Sequence, residues 1–260
     1  MILSATYNFF NGEEHLIASL KSIRSQVDYI NIVYQTISNH GNKCTEYAKD
    51  VIFEIKTLNL VDKLIYYEPN LSIFSGQNEL IKRQIGLQDC IDSGATHFFT
   101  IDSDEFYRAK EIEYAKHKIS NEKYTSSSTK SFLHVRRPIY RGIDNTNIAF
   151  ITEIQNNISL GGSYPINNID PTRTIRIPNR THYHFTTDEV AMYHMCFVRK
   201  NFESKFKNTS SASMTNFINR AKQSIDNWSS NSELFIFPNK PPVKITRVKN
   251  EFDTFDPQFQ

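Results

Sequence analysis

Short apolar runs alternate with amphipathic segments over the first hundred residues, and this order constrains the fold more than any other feature of the sequence. The pattern predicts strands over residues 2–7, 29–34, 63–67 and 97–101, and helices over residues 13–25 and 77–93. Strands that alternate with helices of this length form parallel sheets covered on both faces. The predicted fold class is therefore α/β, with a mostly parallel sheet and helices on both faces.

The second half of the chain is less regular. We predict strands over residues 131–137 and 148–154, a loop over 159–178, a helix that begins at Thr187 and extends toward residue 199, and a helix over 213–228. We assign residues 1–237 to a single domain whose halves meet near residue 107. Residues 238–260, which are rich in proline and lysine, are assigned to an extended tail.

Charge and cysteine content exclude several classes of protein. With 30 Lys and Arg against 28 Asp and Glu, the formal net charge is +2, which gives no overall field that would attract nucleic acid. Three widely spaced cysteines suggest reduced thiols, no apolar run approaches the ~18–20 residues of a membrane span, and residues 1–6 lack the charged region of a signal peptide. We expect a cytoplasmic protein. The basic tail residues Lys240, Lys244, Arg247 and Lys249 leave peripheral contact with anionic lipid as an alternative to a solvated tail.

Two aspartates, Asp102 and Asp104, directly follow the apolar strand predicted at residues 97–101. Residues i and i+2 of an extended chain point to the same side, so the two carboxylates repel each other unless a cation lies between them. Carboxylate oxygens suit Mg²⁺ or Mn²⁺, with substrate phosphates completing the coordination shell. The alternative is a solvated acidic turn. The loops 8–12, 35–42 and 102–106 all follow strands, and parallel sheets bind ligands at that edge.

Several of these residues together resemble the GT-A-fold glycosyltransferases, in particular family-2-like enzymes with an Asp-x-Asp-Glu-Phe signature. The resemblance lies in Lys82-Arg83-Gln84-Ile85-Gly86-Leu87, in Gly94 and in the run from His97 to Asp102-Ser103-Asp104-Glu105-Phe106. Tyr7-Asn8 and Glu13-Glu14 are similar to the start of the family's nucleotide site, and Gln35 stands where the family has an aspartate that reads the base. His194 to Arg199 is similar to a late His-x-x-x-x-Arg stretch. The resemblance covers roughly residues 1–107.

The resemblance implies a metal-dependent glycosyltransferase, a hexosyl- or pentosyltransferase, that moves a sugar from a nucleotide-sugar donor, in most cases a UDP-sugar, to a hydroxyl of a glycan or another acceptor. Residues 1–107 would bind the donor and residues 108–237 the acceptor. The implied donor contacts are Thr6, Tyr7, Asn8, Gln35, Arg83, Asp102 and Ser103. The implied cofactor is Mn²⁺ or Mg²⁺, held by Asp102, Asp104 and His194.

More than one interpretation stays open for the individual roles and for the function. An inverting enzyme needs a general base, for which Asp188, Glu189 and Glu153 are candidates, although the first two also suit the cap of a helix. His182 and His184 compete with His194 as metal ligands. A nucleotidyltransferase is the second enzyme class, but residues 8–12 contain one glycine and no basic residue for a triphosphate. A non-catalytic glycan-binding module is the third possibility.

Overall fold

A computed structural model describes residues 1–209, 212–230, 233–236 and 241–259. The strands are β1 (Leu3–Phe9), β2 (Tyr29–Tyr34), β3 (Lys63–Tyr66), β4 (His97–Asp102), β5 (Glu105–Phe106), β6 (Ser126–Val135), β7 (Arg137–Glu153), β8 (Ser159–Leu160), β9 (Ile175–Arg176), β10 (His182–His184), β11 (Ala191–Phe197) and β12 (Thr246–Arg247). The helices are α1 (Glu13–Ile23), α2 (Glu46–Thr57), α3 (Ser75–Asp92), α4 (Ala109–Glu122), α5 (Phe202–Asn208) and α6 (Thr215–Asn227).

One large sheet has the strand order β3-β2-β1-β4-β7-β6-β11-β5. The first four strands are parallel, and β7 is antiparallel to both β4 and β6. Because β11 is parallel to β6, the strands β4, β6 and β11 all run in the same direction. Strands β2 and β3 lie on one side of β1, and β4 lies on its other side. The strand order therefore reverses between β1 and β4. This confirms the predicted α/β class and its largely parallel sheet.

Helices cover both faces of the sheet. The apolar sides of α1, α2 and α4 pack with β1 and β2 into one core on one face, and α3 lies across the other face of β1 and β2. Helix α3 approaches closely because residue 86 is glycine: a Cβ there would lie 1.8 Å from Thr6 Oγ1. Close contact between α3 and β1 fixes the residues of α3 against the end of the sheet.

The helix predicted from Thr187 toward residue 199 is wrong. The structure has strand β11 there, with six of its seven residues buried. A strand buried on both faces reads as a continuous apolar run, and periodicity does not separate such a run from a buried helix. The neighbouring strands β6 and β5 settle the choice by pairing with it. This segment is therefore part of the sheet and does not fold over a ligand.

Two further helices, α2 and α4, lie in the first half of the chain. Helix α2 was not predicted; its N-cap Thr45 accepts a hydrogen bond from the Ala48 amide. Helix α4 was not predicted. Its buried residues Ile112, Ala115 and Ile119 nevertheless follow helical spacing.

The C-terminal segment contacts the domain. The proposed boundary at 237–238 and Lys240 lie outside the described residues. Residues 241–259 are largely extended: β12 pairs with β7, and Asp256 accepts a 2.9 Å bond from Arg137. Phe252 and Phe255 pack against a buried cluster that contains residues of β11. In the described part of the chain, the helices are all too short or too polar to cross a membrane.

Candidate functional site

A cleft of about 360 Å³ lies at the carboxyl ends of β1, β2 and β4. Its walls come from the turns after these strands, from α3, from the facing parts of β6, β7 and β11, and from α5 and α6. The predicted edge of the sheet is therefore the edge that holds the cleft. Asn8, Gln35, Asp102, Ser103, Asp104 and His194 all line it.

Two buried amide side chains in the cleft wall have unsatisfied polar atoms. Neither the nitrogen nor the oxygen of the Asn8 side chain has a hydrogen-bond partner among the described residues, and neither has Gln35 Oε1. Gln35 Nε2 donates to Asn39 Oδ1 at 3.1 Å, which fixes the amide with its oxygen unpaired. A buried polar group without a partner costs about 1–3 kcal/mol. These atoms are thus placed to bind a polar ligand.

Asp102 ends β4 and is held by two guanidinium groups. Arg83 Nη2 lies 3.0 Å from Oδ1, and Arg173 Nη2 lies 2.5 Å from Oδ2. Burial alone would raise the pKa of Asp102, but Arg173 and Arg83 outweigh burial and hold the pKa at about 2. Its side chain is still 31% exposed and faces the cleft. Arg83 is fully buried and also bonds Glu79 and Thr100, so this predicted donor contact lies beneath the cleft surface.

Asp104 lies deeper, with only 3% of its side chain exposed. Its Oδ2 accepts from Arg199 and from Lys205 Nζ at 3.0 Å, and His194 Nε2 lies 3.4 Å away. Burial opposes the charged form, but Arg199, Lys205 and His194 hold the pKa of Asp104 well below its ordinary value. The structure thus brings His194 to Asp104, as the sequence predicted. Arg199 and Lys205 were not predicted to join them.

Glu105, the third carboxylate of the turn, is buried at the wall of the cleft. Arg173 donates to both of its oxygens, at 2.8 and 2.6 Å, and the Asp102 amide donates to Oε2 at 2.9 Å. Burial raises the pKa of Glu105 despite the arginine. Glu105 therefore ties the turn 102–105 to Arg173 and fixes the direction of Asp102.

The carboxylates do not fit a divalent cation in this arrangement. A metal needs free oxygen or nitrogen ligands, yet Arg83 and Arg173 occupy Asp102, and Arg199 and Lys205 occupy Asp104. Over the described ranges, no group of three or more His, Cys, Asp or Glu side chains is arranged to hold a metal ion. Mn²⁺ or Mg²⁺ on Asp102, Asp104 and His194 stays a prediction from the sequence.

Besides Arg83, two more of the predicted donor contacts do not reach the cleft. Thr6 Oγ1 donates to Asn31 beneath α3, and the Tyr7 hydroxyl hydrogen-bonds with Ser19 on the opposite face of the sheet. Both residues are buried in the core, because alternate residues of β1 point to its two covered faces. Ser103 does line the cleft, and its hydroxyl donates to the Asn11 carbonyl at 2.6 Å.

The acids predicted as general base lie at the other edge of the sheet. Asp188 and Glu189 precede β11, and His194 lies five residues further along, roughly 16 Å at about 3.3 Å per residue. Glu189 accepts hydrogen bonds from the Tyr183 and Tyr114 hydroxyls and from the Thr186 amide. It therefore stabilises the turn before β11 and is remote from the cleft.

Glu153, His182 and His184 lie at that same edge. Glu153 ends β7 opposite His97, the first residue of β4. His182 and His184 pair with the start of β6, where their rings hydrogen-bond with serine hydroxyls. None of these three residues lines the cleft, so His194 is the histidine that the fold places beside the aspartates.

The charged residues of the cleft that were not singled out from the sequence include Lys82, Asp144, Arg173 and Lys205. Lys82, on α3, is only 5% exposed and has no hydrogen bond or ion pair with any described residue; burial lowers its pKa to about 8. Asp144, on β7, is buried, accepts one bond from the Thr146 amide at 3.2 Å and has no ion-pair partner in the described part of the chain. Lys82 directly precedes Arg83, the residue of this segment to which the resemblance assigned a role. The other three residues lie in the less regular second half of the chain.

No family model matches the chain, and no curated protein sequence matches it. Among solved structures, residues 1–349 of S. aureus TarS align with 15% identity over 51% of this chain and 36% of TarS 1–349, with a TM-score of 0.38. The complex of the same protein with UDP-GlcNAc gives 13% identity, 52% and 35% coverage and a TM-score of 0.38. Mannose-1-phosphate geranyltransferase from Thermus thermophilus gives 11% identity, 59% and 50% coverage and a TM-score of 0.32. The chain thus spans about a third to a half of these proteins.

Proposed function

We propose that this chain is a GT-A-like glycosyltransferase that transfers a sugar from a nucleotide-sugar donor to an acceptor hydroxyl. One observation supports this most: a single cleft joins the unsatisfied amides of Asn8 and Gln35 to the Asp102–Asp104 turn at the carboxyl edge of the sheet. Open α/β sheets bind nucleotides at this edge, where the strand order reverses. The amides provide a site for a base, and the charged turn provides a site for a diphosphate.

A uracil base suits the part of the cleft that is lined by the Asn8 and Gln35 amides. Uracil presents an N–H donor between two carbonyl acceptors. Side-chain amides offer both kinds of partner, and Gln35 Oε1 and Asn8 Nδ2 are an acceptor and a donor without protein partners among the described residues. The proposed donor is therefore a UDP-sugar. In the reaction the bond between the sugar C1 and the diphosphate oxygen breaks, and C1 forms a bond to the acceptor oxygen.

The function is tested by incubating the protein with UDP-, GDP- and CDP-sugars and following slow hydrolysis of each donor. We expect hydrolysis of a UDP-sugar, and we expect Gln35→Leu to lower the preference for uridine by about tenfold, the loss of about 1.4 kcal/mol of hydrogen bonding. Gln88→Leu, on the exposed side of α3, is the matched control. Release of pyrophosphate from a nucleoside triphosphate would instead indicate a nucleotidyltransferase, and glycan binding without hydrolysis a binding module.

Asp144 is the proposed general base for an inverting transfer. It lines the cleft on the β7 wall and has no cation partner among the described residues, whereas Glu79, Asp102, Asp104 and Glu105 are all ion-paired. We expect Asp144→Asn to lower kcat by about 10²–10⁴-fold, the usual contribution of a positioned base, and to leave the donor KM unchanged. Steady-state kinetics on both substrates measure this.

The control for this prediction is Asp188→Asn, which changes an exposed acid at the opposite edge of the sheet. We expect it to keep the wild-type kcat. If Asp188→Asn lowers turnover and Asp144→Asn does not, then Asp144 is not the base and the acids before β11 reach the acceptor.

A further inference from the structure

We propose that the cleft binds the diphosphate group through its own lysines, Lys82 and Lys205, without a divalent cation. The nature of the ligand rests on the proposed function. The anion site itself rests on separate observations, namely the burial and pairing of the cations around Asp102 and Asp104.

Lys82 is the first of these cations. It is 5% exposed, lines the same cleft as Asp102 and has no hydrogen-bond or ion-pair partner in the described chain. The acids that face it, Glu79 and Asp102, are both bound by Arg83. Burying an ammonium group without a partner is costly. An anion in the cleft would supply the missing partner, so the position of Lys82 indicates an anion site.

Lys205 is the second cation and approaches from α5. Its Nζ lies 3.0 Å from Asp104 Oδ2, and 22% of its side chain is exposed in the cleft wall. An ammonium group has three N–H donors, and Asp104 accounts for one of them. With respect to the described residues, two donors of Lys205 are therefore available for phosphate oxygens. Asp104 holds the lysine in place.

A divalent cation would have to compete with buried guanidinium groups for the same carboxylates. Arg173 is 3% exposed and bonds Asp102 and Glu105, and Arg199 is 2% exposed and bonds Asp104. Moving either arginine aside would leave a buried charge without a partner, which costs several kcal/mol. We conclude that Asp102 and Asp104 position fixed cations. Fixed cations stabilise the charge that develops on a leaving diphosphate.

The test is calorimetric binding of inorganic pyrophosphate and of UDP at pH 7, first in EDTA and then with millimolar Mn²⁺. We expect both ligands to bind in EDTA and Mn²⁺ to change the affinity by less than about threefold. Lys82→Met and Lys205→Met should each weaken pyrophosphate binding by about 10-fold or more, as expected for the loss of a charge-assisted hydrogen bond of at least about 1.4 kcal/mol. Lys110→Met, an exposed lysine of α4, is the control and should bind like the wild type.

Binding of uridine, which has no phosphate, separates this inference from the proposed function. If pyrophosphate binds only with Mn²⁺, or binds equally well to both lysine variants, the inference is overturned; uridine binding that depends on Gln35 then still supports the proposed function. If pyrophosphate binding in EDTA depends on both lysines but uridine does not bind, the lysine site stands and the nucleotide-sugar assignment fails. Because Lys82→Met removes a buried charge, the melting temperature of this variant is measured beside that of the wild type to show that it is folded.

Discussion

Replacing Asp104 with alanine is expected to abolish transfer and to lower the free energy of unfolding by about 3–5 kcal/mol, the cost of breaking a buried ion pair. Its carboxylate is 3% exposed and accepts from Arg199 and Lys205. Without Asp104, Glu14, 4.0 Å away, is the one acid among the described residues within ion-pair distance of the buried guanidinium of Arg199. Lys205 loses the contact that directs it into the cleft. Urea denaturation and a transfer assay measure the two effects.

The matched variant is Asp102→Ala, which should also lose transfer but destabilise the protein less. Its side chain is 31% exposed, and the two guanidinium groups left behind keep other carboxylate partners, Glu79 for Arg83 and Glu105 for Arg173. The deeper burial of Asp104 accounts for the larger loss of stability expected in Asp104→Ala. Wild-type stability and activity in Asp104→Ala would contradict the assignment of Asp104 to the centre of the ion-pair cluster.

The pH dependence provides a further check on Asp104. Its folded pKa lies well below the ordinary value of an aspartate, so the folded state binds fewer protons than the unfolded state below about pH 4. The stabilisation is fully present above that value and is lost as the pH falls toward the folded pKa. Asp104→Ala should therefore lose less stability than the wild type on acidification.

The first half of the fold and the carboxyl edge of its sheet were predictable because each strand and helix there shows its own hydrophobic periodicity. The strands β1 to β4 and the helices α1 and α3 follow patterns with periods of two and 3.6 residues. Since parallel strands end at one edge, Asn8, Gln35 and Asp102 had to lie near one another. The sequence pattern is sufficient to place these residues, although it does not show which of them face the cleft.

The cations of the site were not predictable in the same way. Arg173 contacts Asp102 across 71 residues of sequence, and Lys205 contacts Asp104 across 101. Arg173 lies in a segment rich in glycine, proline and asparagine, where no periodicity indicates the side that a residue faces. Pattern analysis therefore found the acids, whose spacing is local, and did not find Arg173 and Lys205, which neutralise them from distant segments. For the same reason it favoured a metal ion as the missing positive charge.

Arg173→Met is expected to destabilise the protein by about 3–5 kcal/mol at pH 7, because it leaves the buried carboxylate of Glu105 without its partner. Arg173 also bonds Asp102, so we expect donor hydrolysis to be lost as well. Chemical denaturation at pH 7 and pH 5 measures the first effect. The double variant Arg173→Met/Glu105→Gln should recover most of the stability, since a neutral amide does not need a cation and still accepts the Asp102 amide.

The pH dependence of the single variant distinguishes Glu105 from the other partners of Arg173. Burial already raises the pKa of Glu105 in the wild type, and removing the arginine leaves burial unopposed, so the folded pKa of Glu105 rises further above its unfolded value of about 4.3. The folded state then binds more protons than the unfolded state between these two values. Stability of Arg173→Met should accordingly increase as the pH falls from 7 to 5, and the double variant should lack this dependence. Arg173 Nε also lies 3.7 Å from Asp170 Oδ2. An equal loss of stability at both pH values, with no recovery in the double variant, would show that Arg173 acts through Asp102 or Asp170 instead of Glu105.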